Sequence, residues 1–353
     1  MLAVAGALVA LLVVNTVVEV AGAGDDGSGL PPGARDAAVQ RLLDVRARAV
    51  LTHDEAAWMS VVGTDDASFV ERQRAQFRGL DRLPFQTFAY RALPGRSYTV
   101  PGTTRRWGPT ATVAAVVATH RLRGYDEGDV AEAVALTIAR VDGGWRLLSD
   151  TDADAFLPPG GHSAPWDLGE VQVATGRHSL VVGDAGDDEA LPALARRADQ
   201  AVEAVERVWP AGPSTWPGRV VVYAAHDSQT MERMLRGTDL GGAQPLAIAY
   251  PVLDGFTWFD TPTLAPAEVG SRIAVDAAGA DVDPSTLRHE ITHVATQRQQ
   301  RRAHRPGWSR GSRSTRRCGP RRCRRCWRTR TSPTPSLYES IGEGTSRCTC
   351  RRR

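Results

Sequence analysis

The feature that most restricts the fold of this 353-residue chain is the uneven distribution of its charge. Between Ile291 and Tyr338 there is no Asp or Glu, while Arg is dense. Such a stretch repels itself and offers little apolar surface, so it collapses poorly and reads as a disordered tail. The part of the chain able to form a core therefore lies before it. The net charge of +3 hides this division, because the preceding chain is mildly acidic. Cysteine repeats the pattern: Cys318, Cys323, Cys326, Cys348 and Cys350 all fall in the last part, so the main body is built without disulfides. All 43 basic residues are Arg. Lys codons are AT-rich, so the absence of Lys implies a strongly GC-biased genome. At 42% hydrophobic and 24% charged, the chain has an ordinary globular composition and enough length for about two domains.

The N-terminus, MLAVAGALVALLVVNTVVEVAGAG, is apolar from Leu2 to Val18 apart from Asn15 and Thr16. That is close to the shortest membrane span and long for the apolar part of a signal peptide. Residues 1–24 are expected to be a signal peptide or transmembrane anchor, placing the rest of the chain outside the cytoplasm of a bacterium, secreted or membrane-anchored. No basic residue precedes the apolar run, which leaves room for a start further upstream.

Residues 25–35 read as a linker. Val39, Leu42, Leu43 and Val50 then recur at helical spacing, and Asp65 and Asp66 open a second helix through Phe69 and Phe77. The period next changes to two. ATVAAVVATHRLRG reads as a strand, and EAVALTIARVDGGWRLLSD as a hairpin turning at Asp142-Gly143-Gly144. Helices followed by long antiparallel strands ending in DGGWRLLSD resemble the NTF2-like (cystatin-like) α+β cone. The resemblance covers roughly residues 36–155 and is one of pattern. His120 and the acids of GYDEGD are expected to be strand-end and loop residues. A second linker is expected over 156–166. Beyond it, HSLVVGD, GRVVVYAAHD, AIAYPV and SRIAVDAAG read as strands. A helix from Glu189 to Trp209 carries Leu191, Leu194, Ala198, Val202 and Val205 on one face, and SQTMERMLRG is another.

These elements lead into HEITH. On a helix, His289 and His293 share one face and can hold one metal ion. Glu290 is turned off that face, within reach of a water on the metal, and can act as its general base. Asp283 is placed to cap the helix, with Pro284 in its first position. SRIAVD is expected to be the edge strand along which a peptide substrate lies. At these residues the chain resembles the gluzincin (peptidase MA-like) zinc metallopeptidases. The resemblance implies a mixed α/β domain over about residues 167–300, Zn2+ as cofactor and hydrolysis of a peptide or protein substrate. It also implies a third zinc ligand, a Glu on a following helix in a W-L-x-E-G-x-A-x-Y setting.

No Glu follows Glu290 until Glu339. In the expected place stands PGWSRGSRST, residues 306–315. It can be encoded CCT GGC TGG TCG AGG GGT TCG CGG AGT ACG. Read two nucleotides later, the same bases give Trp-Leu-Val-Glu-Gly-Phe-Ala-Glu-Tyr. A reading-frame shift between about Val294 and Pro306, from a sequencing error or in a true pseudogene, accounts for both the lost motif and the Arg/Cys-rich stretch over 301–353. An Arg-rich tail can bind nucleic acid, but this one lacks interleaved aromatics and a helical face and follows an export signal, which argues against that partner. The spacing of its five thiols matches no common zinc finger.

The expected fold class is thus α+β: an NTF2-like cone, a truncated gluzincin-type domain and a disordered tail. Two functions stand side by side. One is a zinc peptidase using His289, His293 and Glu290, its activity in question for want of a third ligand. The other is a non-catalytic exported binding protein built on the cone.

Overall fold

The computed structural model describes residues 32–98, 100, 102–153, 163–184, 189–212, 216–235, 245–255, 266–276 and 282–304. The apolar N-terminal segment and the Arg/Cys-rich residues from 305 onward lie outside them. Among the described residues no helix is long and apolar enough to cross a membrane.

Helix α1 (Pro32–Thr52) begins inside the expected linker, with Pro32 in its first turn, where a missing N–H costs nothing. Its positions Val39, Leu42, Leu43, Arg46 and Val50 are all buried. After the short helix α2 (Glu55–Met59) comes α3 (Ala67–Asp81), started by Asp66, whose carboxylate accepts from Ser68 and Phe69 N–H. Strand β1 (Phe85–Tyr98) and helix α4 (Thr103–Trp107), neither signalled by the sequence pattern, precede β2 (Thr112–Leu122), β3 (Val130–Val141) and β4 (Gly144–Ser149). The four strands form an antiparallel sheet in the order β1-β2-β3-β4. The β3–β4 turn has positive φ at both Asp142 and Gly143, the handedness that matches strand twist.

Helix α1 is tied to α2 and α3 by a buried polar knot. The Arg46 guanidinium lies 3.3 Å from the Trp58 ring centroid and donates to Gln73 Oε1 at 2.7 Å. Gln73 in turn donates from Nε2 to Asp150 Oδ2 at 2.8 Å. Burial pulls the Arg46 pKa down to about 10.

The segment expected to be a linker up to residue 166 ends instead in packed structure. Ala164, Pro165 and Trp166 are buried at the start of the single turn α5 (Pro165–Leu168). The indole of Trp166 is too large to leave in water, and it meets Phe85, His120 and Tyr223 edge-on, with ring centroids 5.3–6.0 Å away.

A five-stranded mixed sheet follows, built from β5 (Val171–Thr175), β6 (Ser179–Asp184), β7 (Val220–Ala225), β8 (Ala247–Leu253) and β9 (Glu268–Asp276). Its order is β5-β6-β7-β9-β8. The central strands β6, β7 and β9 are parallel, and both edges are antiparallel to them. Helix α6 (Ala190–Glu206) lies on one face, burying Leu191, Leu194, Ala198, Val202 and Val205 as its periodicity requires. Helix α7 (Ser228–Met234) is capped by Asp227. Helix α8 (Pro284–His304) packs beside α6, through Leu287, Ile291, Val294 and Ala295.

The other face of this sheet shares a continuous core with the first. Leu180, Val182, Val221, Tyr223, Tyr250 and Ala274 cluster with Phe85, Leu122, Val130 and residues of α1. The two sheets are parts of one compact unit. The class is therefore α+β, with one antiparallel and one mixed sheet.

Candidate metal centre

Helix α8 sets the geometry of the HEITH residues. Asp283 starts it: its carbonyl accepts from Thr286 and Leu287 N–H, and its carboxylate from Ser285 N–H and Oγ–H. The Ser285 contact holds the Asp283 carboxyl below its usual range. The apolar positions Leu287, Ile291 and Ala295 are fully buried against α6 and β9. His289 and His293 stand on the opposite side, both exposed. Their Nε2 atoms are 3.1 Å apart, and the rings are nearly perpendicular, with centroids 4.7 Å apart.

That separation has chemical meaning. Two nitrogens bound to one zinc ion at tetrahedral angles are about 3.3 Å apart. The spacing is thus close to that of two ligands on one zinc ion, and imidazole nitrogen is a donor that suits zinc. Among the described residues no group of three or more His, Cys, Asp or Glu is arranged to hold a metal.

Glu290 occupies the boundary between the two faces. It is 8% exposed, and its Oε1 lies 4.0 Å from His289 Nε2. Its Oε2 accepts the backbone N–H of Ala249, on β8, at 2.7 Å. The helix thereby brings a carboxylate to a sheet edge, with the two imidazoles one step around the same cylinder.

That edge is β8, and the expectation for SRIAVD is corrected. The segment forms most of β9, which is internal: Ile273 pairs with Val222 of β7 on one side and with Ala249 of β8 on the other. Its run Ile273-Ala274-Val275 is fully buried on both faces, as an internal strand needs. The signal that could have distinguished the two strands is Pro251. Proline lacks the N–H an internal strand must donate, so it belongs on an edge.

The expectation for His120 and GYDEGD is also refined. His120 lies within β2 rather than at its end and is 2% exposed, against Phe85 and Trp166. Its Nε2 is buried without a hydrogen-bond partner. Burial first, and the Arg272 charge second, push its pKa down to about 3. Asp126 forms a bidentate ion pair with Arg272 of β9, at 2.6 and 3.0 Å. Arg272 Nε also donates to Tyr223 Oη at 2.9 Å. These groups are structural, at the seam of the two sheets.

One further titratable cluster lies at the C-terminal ends of β6 and β7. His226 bridges Asp184 through Nδ1 and Asp227 through Nε2. Its ring nitrogens point to separate carboxylates, so the three side chains fasten strand ends together and do not enclose a common point.

No protein-family model, curated protein or solved structure matches this chain.

Proposed function

We propose that the chain is a zinc-dependent peptidase of gluzincin type, carrying an NTF2-like domain at its N-terminal side and exported or membrane-anchored through its apolar leader. The observation that carries the reading is the placement of Glu290. Its carboxylate sits on the N–H of an edge strand while His289 and His293 stand beside it with their Nε2 atoms 3.1 Å apart. The mixed sheet, with an antiparallel edge strand next to the HEITH helix, supports the same reading, as does the helix-then-antiparallel-sheet order of the first part.

Bound zinc would be held by His289 and His293 and would supply a water acidified towards neutrality. Glu290 holds and passes on the proton. Its Oε1 faces the imidazole side, while Oε2 is fixed by Ala249, which limits carboxylate rotation. A peptide laid along β8 is thereby brought to the base. The third ligand belongs to the motif that the shifted frame restores.

The same observations leave a second reading, an exported binding protein of peptidase ancestry, favoured by the absence of any Glu between Glu290 and Glu339. Zinc stoichiometry separates the two. The peptidase is expected to hold one tight zinc, lost in His289→Ala, and to lose peptide cleavage but not zinc in Glu290→Gln. A purified chain without tight zinc identifies the relic. Resequencing the locus tests the frame shift: an uninterrupted frame through residues 294–306 in independent reads removes it.

A further inference from the structure

A closed zinc site has four ligands, and His289 and His293 supply two of them. Both imidazoles leave the same open face of α8: the His289 side chain is 68% exposed, and His293 is exposed beside it. An ion held between their Nε2 atoms therefore has its other two positions on the side away from the helix, towards solvent. Among the described residues no third His, Cys, Asp or Glu is grouped with the pair. Glu290, the carboxylate next to it, has its Oε2 held on the sheet side by Ala249 N–H. The exposed neighbours of the histidines on α8 are Arg288 and Thr292, and neither side chain suits zinc.

We propose that, in the chain as its sequence stands, a second copy fills the two open positions, so that one zinc ion joins two chains through His289 and His293 of each. The proposal rests on the zinc affinity of the histidine pair, which the peptidase reading shares, and it applies where the motif carrying the third ligand is missing. A second copy brings the same two nitrogens at the same 3.1 Å spacing, so four imidazoles close a tetrahedral shell with no further residue. A two-fold axis through the ion makes the contact self-complementary, and it closes at two chains where a head-to-tail contact could grow on. The pair lies opposite the stripe of Leu287, Ile291 and Ala295 that packs into the chain, so the core is untouched by the meeting of two copies. Arg288 and Thr292 offer no apolar surface that would hold two copies without the ion. Association therefore follows the metal. A four-imidazole shell leaves no position for a water, so zinc shared in this way is structural and the dimer does not cleave peptides.

The test is the mass of the purified full chain, read by sedimentation velocity as zinc is added, with bound zinc counted in the same samples. In chelator the chain is expected to be a monomer. Its mass is expected to double, with a maximum at about one zinc per two chains, and to fall again in excess zinc, when each pair holds an ion of its own. His289→Ala and His293→Ala change exposed side chains and are expected to stay monomeric at every zinc level. A variant with Cys318, Cys323, Cys326, Cys348 and Cys350 each replaced by Ser is expected to dimerise as the native chain does. A monomer with one tight zinc per chain overturns the shared site and leaves the peptidase reading standing. A dimer that persists in chelator, survives His289→Ala or is lost with the five thiols also overturns it. A chain that binds no zinc overturns both readings.

Discussion

Arg272 carries a guanidinium at 1% exposure, and the chain spends three side-chain contacts to keep it there. Burial works to lower its pKa. The attraction of the Asp126 carboxylate and the hydrogen bonds to Asp126 and Tyr223 together outweigh burial, so the group stays charged. Removing one partner strands the other charge in the core. Asp126→Ala is expected to destabilise the protein by about 3–5 kcal/mol, measured as a shift in urea unfolding. Replacing both residues by apolar ones should cost much less than the single change. His120 gives a second residue-scale expectation. Its pKa is about 3 folded and near 6.5 unfolded, so the unfolded chain binds more protons between those values. Stability from this site is complete above pH 6.5 and falls as pH drops towards 3. His120→Leu should leave stability at pH 7 unchanged or raised, and should shrink the loss between pH 7 and pH 5 by about 2 kcal/mol. An unaltered loss would mean that His120 does not titrate as its surroundings require.

At the scale of elements, helix α8 is held by its apolar stripe and not by its exposed face. Ile291→Ala is expected to cost about 2–5 kcal/mol and to loosen the His289–His293 spacing, seen as weaker metal uptake. Helix α1 and its stripe, the Asp66 cap, the β2–β3–β4 sequence and the α6 face could all be read from the chain, because each is a local pattern closed within a few turns. The HEITH face was readable for the same reason. Other features were not, for an equally physical cause. Arg272 reads as a flaw in an apolar strand, since its partner Asp126 lies 146 residues away. Trp166 sits in a Pro/Gly-rich stretch that imitates a linker, and only three-dimensional packing shows why it is buried. The choice between β8 and β9 as edge turned on one residue, Pro251, whose lack of an N–H matters only once neighbours are known. Ala249 has no chemical signal at all, because its backbone is what Glu290 uses.

At the scale of the described molecule, the seam of Trp166, His120, Arg272 and Asp126 joins the two sheets in one compact unit, and they are expected to unfold together. Hydrogen exchange in rising denaturant should show β2 and β7 losing protection together, with one shared midpoint. Two separated midpoints would mean that the sheets are independent domains. A fragment of residues 32–153 is expected to expose Phe85 and Leu122 and to bind a hydrophobic dye, where the full chain does not.

Because the Arg272–Asp126 pair joins residues so distant in the chain, it also sets an order in time. A ribosome adding about 5–20 residues per second makes Arg272 roughly 7–29 seconds after Asp126. During that wait the nascent first half has a lone carboxylate and an uncovered aromatic flank where its counterpart will dock. An export pathway that keeps the chain unfolded until synthesis ends would spare it this interval.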